Sequence, residues 1–129
     1  MTGNAAVDRR QLGAEAEDAA QGFLIAQGLT PLARNVRYPF GEIDSILLHD
    51  AMLVFVEVRF RRNSSFGGAA LSVDASKRRK IARAASAWLS SHKQFGKAAC
   101  RFDVVTVAPS ATGLECAWIR SAFTLDDLW

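Results

Sequence analysis

Gly41-Glu42-Ile43-Asp44-Ser45-Ile46-Leu47-Leu48-His49-Asp50-Ala51-Met52-Leu53-Val54-Phe55-Val56-Glu57-Val58-Arg59-Phe60-Arg61 is the stretch that decides how this chain folds. Its two arms are rich in Ile, Val, Leu and Phe and flank a short polar break around His49 to Met52, the pattern of a β-hairpin. With Asp50-Ala51 as a two-residue turn, Leu48 faces Leu53, Ile46 faces Phe55, Asp44 faces Glu57 and Glu42 faces Arg59. Side chains alternate with period 2, so Glu42, Asp44, Glu57 and Arg59 emerge on one face at the open end of the hairpin. A slip of one residue would dismantle this cluster.

Carboxylates directly across a strand pair repel, and crowding them raises one pKa unless a cation intervenes. Two solutions are open from the residues alone. Arg59 can be that cation, which makes an ordinary ion-pair network. Alternatively, the oxygen donors of Asp44 and Glu57 can hold a hard divalent ion such as Mg²⁺ or Mn²⁺.

Away from the charged end the arms are apolar on both faces, Ile46 and Phe55 on one and Leu47 and Val54 on the other. Strands buried on both faces need a layer above and a layer below. The chain supplies two helices for this. Leu12, Ala16, Ala19, Ala20, Phe23 and Leu24 recur at helical spacing and predict a helix over 8–27 ended by Gly28, with Glu17 beside the apolar stripe. Ile81, Ala84, Ala85, Trp88 and Leu89 predict a second helix over 75–91, capped by Asp74 or Ser76. Its first turns carry Lys77, Arg78, Arg79, Lys80 and Arg83, cations that oppose the helix dipole there but suit a bound phosphate.

Strands are expected at Leu29–Tyr38, followed by the turn Pro39-Phe40-Gly41, and at Arg101–Ala108 and Glu115–Arg120, joined by the turn-rich Pro109–Gly113. Asp103 interrupts an apolar run; it can be a late acidic contributor to a site, but a buried Asp bonded to backbone or to Arg101 is the expectation. His49 reads as a turn residue and His92 as a helix-end residue. Asn63–Ala70 reads as a loop suited to touch a substrate, flanked by Arg61 and Arg62, and Phe123–Trp129 as a last short helix.

At 129 residues, with 50% hydrophobic and 22% charged residues, the composition is that of one ordinary globular domain. Residues 1–7 are expected to be disordered and 8–129 to form the domain. A net charge of +3 and a pI near 9.2 suit a polyanionic partner without demanding one. Cys100 and Cys116 lack metal-ligand spacing and read as reduced thiols. Residues 1–11 contain no secretory signal, no run approaches a membrane span, and there are no internal repeats. The expectation is a cytoplasmic protein with no membrane partner.

Gly41-Glu42-Ile43-Asp44, a spacer and Val54-Phe55-Val56-Glu57-Val58-Arg59 resemble the core of the PD-(D/E)XK nuclease superfamily. More narrowly, the chain resembles the small bacterial YraN-like (UPF0102) family, related in fold to archaeal Holliday-junction resolvases. The likeness extends from about Gly13 to Phe123 through Glu17-Asp18-Ala19-Ala20, Arg34-Asn35-Val36-Arg37, Phe66-Gly67, Val73 with Lys77, and Arg101-Phe102-Asp103-Val104. It implies an α/β domain with a restriction-endonuclease-like, resolvase-like core: a mixed central sheet flanked by helices. It also implies a nucleic-acid-binding, metal-dependent endonuclease. By position, Asp44 and Glu57 match the metal-binding carboxylates, Glu17 matches the acidic residue of the first helix, and Glu42 belongs to the family's Gly-Glu-Ile-Asp segment. Lys77 matches a family lysine, and Lys77, Arg78, Lys80, Arg61 and Arg62 are the candidate nucleic-acid contacts. The cofactor implied is Mg²⁺ or Mn²⁺, and the partner is DNA or RNA, branched DNA included; a homodimer is compatible with the resemblance.

Two positions depart from the pattern. Ala16 stands where glycine is usual, and Arg59 stands where the catalytic lysine is expected. Arginine is a planar fork that keeps its proton, so it can stabilise negative charge but not exchange a proton. The alternative is therefore a non-catalytic nucleic-acid-binding module with the same fold; a protein-interaction domain with a structural carboxylate network is a third reading.

Overall fold

The computed structural model describes residues 5–62 and 73–123. The expected loop over 63–70 and the expected helix beyond 123 lie outside the described residues.

The hairpin forms in the register read from the turn. Strand β2 (Gly41–His49) and strand β3 (Met52–Phe60) are antiparallel, with Leu48 opposite Leu53 and Ile46 opposite Phe55. Asp50 takes a left-handed φ of 56° in the turn, which tight hairpin connections favour and Asp tolerates. Strand β1 (Thr30–Tyr38) pairs antiparallel with β2 across the Pro39-Phe40 turn. After β3 the chain crosses over through a helix and returns as β4 (Cys100–Ser110), parallel to β3. Strand β5 (Gly113–Phe123) folds back antiparallel on β4. The result is one mixed sheet in the order β1-β2-β3-β4-β5.

Alternation sorts the core into two layers. Ile46, Leu53, Phe55, Phe102 and Val104 face one side, and Leu47, Val54, Val56, Val105 and Val107 face the other. Helix α1 (Ala5–Ala26) covers the second side through Ala16, Ala20 and Leu24. Small side chains let it lie close to the sheet, and the buried Ala16 fits that face without glycine. Leu12 is 37% exposed, so the buried stripe begins at Ala16 and not at Leu12. The helix begins at Ala5, before the expected Asp8. It ends in a Schellman motif: Gly28 has φ 99°, its N–H reaches the Ile25 carbonyl, and the Leu29 N–H reaches the Leu24 carbonyl. Leu24 and Leu29 then join the same core layer.

Helix α2 (Ala75–Ser91) covers the first side through Ile81, Ala84, Ala85 and Trp88. Asp74 is its cap, accepting the Lys77 N–H at 2.9 Å. Trp88 meets Phe55 edge-on at 6.3 Å, and Phe55, Phe102 and Phe123 stack in series. Such aromatic pairs add about 0.5–1.5 kcal/mol each beyond their burial.

The β4–β5 hairpin is longer than its turn residues suggest. Pro109 lies within β4 opposite Leu114, and the connection shrinks to Ala111-Thr112. Proline is tolerated there because β4 has run past its pairing with β3, which ends at Phe60 opposite Val107. Asp103 is fully buried and is structural: it accepts the Arg101 Nε–H, the Trp118 indole N–H and the Ser121 backbone N–H. Ser121 takes φ 51° in the bulge that aims this N–H inward. Arg101 also hydrogen-bonds to His49 Nδ1, so this histidine belongs to the same network. His92 follows α2, as its spacing suggests, stacked on Trp88 at 3.9 Å. No helix among the described residues is long and apolar enough to cross a membrane.

Candidate functional site

The β2–β3 pairing runs from His49/Met52 to Ser45/Val56 and stops there. The next β3 donor, the Val58 N–H, goes to the Asp44 carboxylate at 2.8 Å instead of to a strand carbonyl. Strand β2 is irregular at this point. Ile43 and Ile46 both pack on the α2 side, although a regular strand would separate residues three apart. Ser45 in between turns to α1 and donates to the Gln21 side-chain oxygen. Opposite the irregularity, Asn35 of β1 has φ 52°. The strands therefore part where the carboxylates begin, and Asp44 projects into the opening.

Glu57 is 6% exposed and lies within hydrogen-bonding contact of Asp44. Burial raises its pKa, the neighbouring Asp44 raises it further, and it reaches about 7 despite an opposing lysine. Asp44 is raised too, first by burial, with the Val58 N–H pulling the other way. The opposing cation is Lys77 in the first turn of α2, whose Nζ lies 3.0 Å from Glu57 Oε2. Burial works against the lysine's charge, but Glu57 and Asp44 outweigh it and hold its pKa above the usual value. Arg59 Nη1 is 4.0 Å from the same oxygen, at the outer limit of an ion pair. The sequence offered Arg59 as the internal cation; the fold places Lys77 closer.

Two expected members sit further out. Glu42 is exposed and stands opposite Arg37 on β1; the expected Glu42–Arg59 partnership does not form, because β2 and β3 part after Ser45 and Val56. Glu17 reaches from α1. Burial raises its pKa first and Asp44 second, while Arg34 and Arg37 lower it. Glu17 thus senses Asp44 electrostatically, yet among the described residues no three His, Cys, Asp or Glu side chains converge as a ready metal cage.

The basic residues surround this opening unevenly. Lys80 is exposed one turn along α2 from Lys77, and Arg78 is half-buried beside it. Arg61 extends β3 by donating its N–H to the Val107 carbonyl, and Arg62 is exposed just beyond.

Sequence reasoning missed how α2 is held against the carboxylate strand. A Cβ on Gly41 would run into the Lys80 carbonyl, so the first glycine of Gly-Glu-Ile-Asp is a contact point between β2 and α2. The tight Tyr38-Pro39-Phe40-Gly41 turn was the only signal for it. The ring pair Tyr38–Phe40, stacked at 5.3 Å beside this contact, was missed as well.

Fold and site together define an α/β domain with a carboxylate pair and its cation at the open end of a central hairpin. Residues 16–107 match the family described as "Uncharacterised protein family UPF0102". The chain is 46% identical to a UPF0102 protein of Saccharophagus degradans over 91% of this chain and 96% of that one. It is 47% identical to one of Xanthomonas campestris pv. campestris, over 92% and 96%. With one of Halorhodospira halophila the identity is 48%, over 90% and 89%. The chain belongs to the UPF0102 family.

Proposed function

We propose that the chain is a nucleic-acid-binding, divalent-metal-dependent endonuclease of the resolvase-like type. The observation that carries this reading is the Asp44–Glu57 pair: two carboxylates in contact, one nearly buried, both with pKa values raised first by burial and Glu57 raised further by Asp44. Such a pair resists double ionisation, and a divalent cation relieves it more fully than one lysine. The donors fit Mg²⁺ or Mn²⁺, hard ions that take oxygen ligands. Mg²⁺ is commonly held by only one or two carboxylates, with waters and substrate phosphate completing the shell. Asp44 and Glu57 would hold the ion, with Glu17 as an accessory contributor. When bound, it polarises the phosphoryl oxygen and lowers the pKa of the attacking water.

The chain's own groups do the rest. The Val58 N–H fixes the Asp44 carboxylate, and Lys77 fixes Glu57. Arg59 directs its guanidinium toward negative charge developing on the phosphoryl group. Lys77, Arg78, Lys80, Arg61 and Arg62 neutralise backbone phosphates of DNA or RNA and set the strand in register. Glu42 lies at the margin of the site. The reading places the protein in the cytoplasm, where the free Cys100 and Cys116 stay reduced.

A second reading, nucleic-acid binding without catalysis, is favoured by the Lys77–Glu57 contact together with Arg59. The lysine already neutralises Glu57, and Arg59 cannot exchange a proton.

The test is cleavage of labelled single-stranded, duplex and four-way-junction DNA with Mn²⁺ or Mg²⁺, with wild type beside Asp44→Asn and Arg59→Lys. Cutting by wild type and not by Asp44→Asn establishes the nuclease and shows that Arg59 suffices. Cutting only by Arg59→Lys, or by no form, moves the conclusion to the binding module.

A further inference from the structure

We propose that the cavity between the Tyr38–Gly41 turn and the first turns of α2 is a nucleobase subsite that receives one unpaired base beside a backbone phosphate met by Lys77. This rests on the nucleic-acid reading of the neighbouring site and deepens it, naming strands with exposed bases as the substrate class.

The cavity measures about 460 Å³, within the range of small-ligand pockets. One wall is aromatic: Tyr38 and Phe40 stack within 3° of parallel, and the Arg83 guanidinium lies 5.0 Å from the Phe40 ring centre, bracing it. The other wall is α2, with Lys77 and Lys80 at the rim and Ile81 behind them. The Gly41–Lys80 backbone contact ties the two walls together, so the cavity exists before a ligand arrives. Flat rings, an apolar floor and rim cations are the elements with which proteins hold single-stranded bases, the rings stacking on the base and the cations meeting its phosphate.

Two acidic residues also line the cavity, and each has a place in this reading. Asp74 is engaged as the α2 cap. Glu42 is an exposed acceptor on the strand wall, suited to the exocyclic amine that cytosine, adenine and guanine carry and thymine lacks. Lys77 belongs both to this cavity and to the Glu57 ion pair, so the cavity adjoins the carboxylate site. A base stacked and paired inside a continuous duplex cannot enter; an unpaired or extruded one can.

The experiment is fluorescence anisotropy at low salt in EDTA, so that cleavage plays no part. The probes are a single-stranded oligonucleotide, the same strand with a run of abasic sites, and a blunt duplex. Wild type is expected to bind the intact strand about 10-fold more tightly than the abasic one, as loss of one base stack predicts. Phe40→Leu is expected to reduce that ratio to near 1 while weakening abasic binding little, and Phe40→Trp to retain it. Equal binding of intact and abasic strands by wild type, or an unchanged ratio in a folded Phe40→Leu, overturns the subsite and leaves the nuclease reading standing. Failure of wild type to bind any of the probes overturns the subsite, while the nuclease reading stands or falls by the cleavage test with Mn²⁺ or Mg²⁺. Should Phe40→Leu not fold, loss of the ratio in Phe40→Trp overturns the subsite.

Discussion

Lys77 Nζ on α2 lies 3.0 Å from Glu57 Oε2 on β3, joining the crossover helix to the carboxylate end of the central hairpin. Among the described residues the lysine is the nearer of the two cations paired with Glu57, and it stands at the N-terminal end of a helix, where a cation is ordinarily unfavourable. Replacing it with methionine leaves Glu57 with the more distant Arg59. The Glu57 pKa should then rise above its value of about 7. Because the lysine is about half exposed, the expected loss of stability at pH 8 is about 1 kcal/mol or less. At pH 5, where Glu57 is protonated, little should change. Urea midpoints at the two pH values check this.

Glu57 itself makes the fold pH-sensitive. Its folded pKa of about 7 lies above the ordinary 4.5, so the native state holds the proton more tightly than the unfolded chain does. Stability from this group is full below about pH 4.5 and is lost as pH rises through about 7. Glu57→Gln should flatten that dependence and stabilise the metal-free protein at pH 8 by at most about 3 kcal/mol. Added Mn²⁺ should restore stability to wild type at pH 8 and not to the variant. A wild-type melting temperature indifferent to pH between 5 and 8 would contradict the buried ionisation.

Asp44 separates charge from hydrogen bonding. Asp44→Asn retains a side-chain oxygen for the Val58 N–H but loses the charge, so the fold should hold while Mn²⁺ affinity and cleavage fall away. Asp44→Ala also leaves that N–H without its acceptor, adding a destabilisation of about 1–2 kcal/mol. Calorimetric Mn²⁺ titration and thermal melts of both variants separate the two effects; undiminished Mn²⁺ affinity in either would remove the metal site as drawn.

Gly41→Ala tests the contact between β2 and α2. Its Cβ would press on the Lys80 carbonyl, a backbone atom that cannot swing aside, so α2 must move and carry Lys77 with it. The expected cost is about 1–3 kcal/mol, as for other overpacked sites. Cleavage should fall further than stability alone explains, because the Lys77–Glu57 distance opens. Activity normalised to folded fraction is the readout.

Asp103 is the contrasting acid. It is fully buried and takes donors from Arg101, Trp118 and Ser121, so Asp103→Ala strands Arg101 and should destabilise by about 3–5 kcal/mol. Mn²⁺ affinity of the remaining folded protein should not change. A loss of metal binding at full stability would place Asp103 in the site.

The sequence by itself determined that a hairpin forms over Ile46–Leu48 and Leu53–Val56, because two apolar arms flank a short polar break; its register rested on taking Asp50-Ala51 as the turn, and the structure has that register. It determined the two covering helices as well, since their apolar stripes match the two faces of that sheet, and it favoured a structural Asp103 over a site residue from its apolar surroundings. The tertiary structure alone decided which cation meets Glu57. Lys77 follows in the chain only after a long crossover, and nothing local to β3 says where that helix begins relative to the strand end. It also decided that Glu42 stays outside: alternation holds only while strands remain paired, and β2 and β3 part after Ser45 and Val56. The reason for Gly41 was hidden in the same way, because a close approach between backbones distant in the chain leaves no periodic trace in either segment.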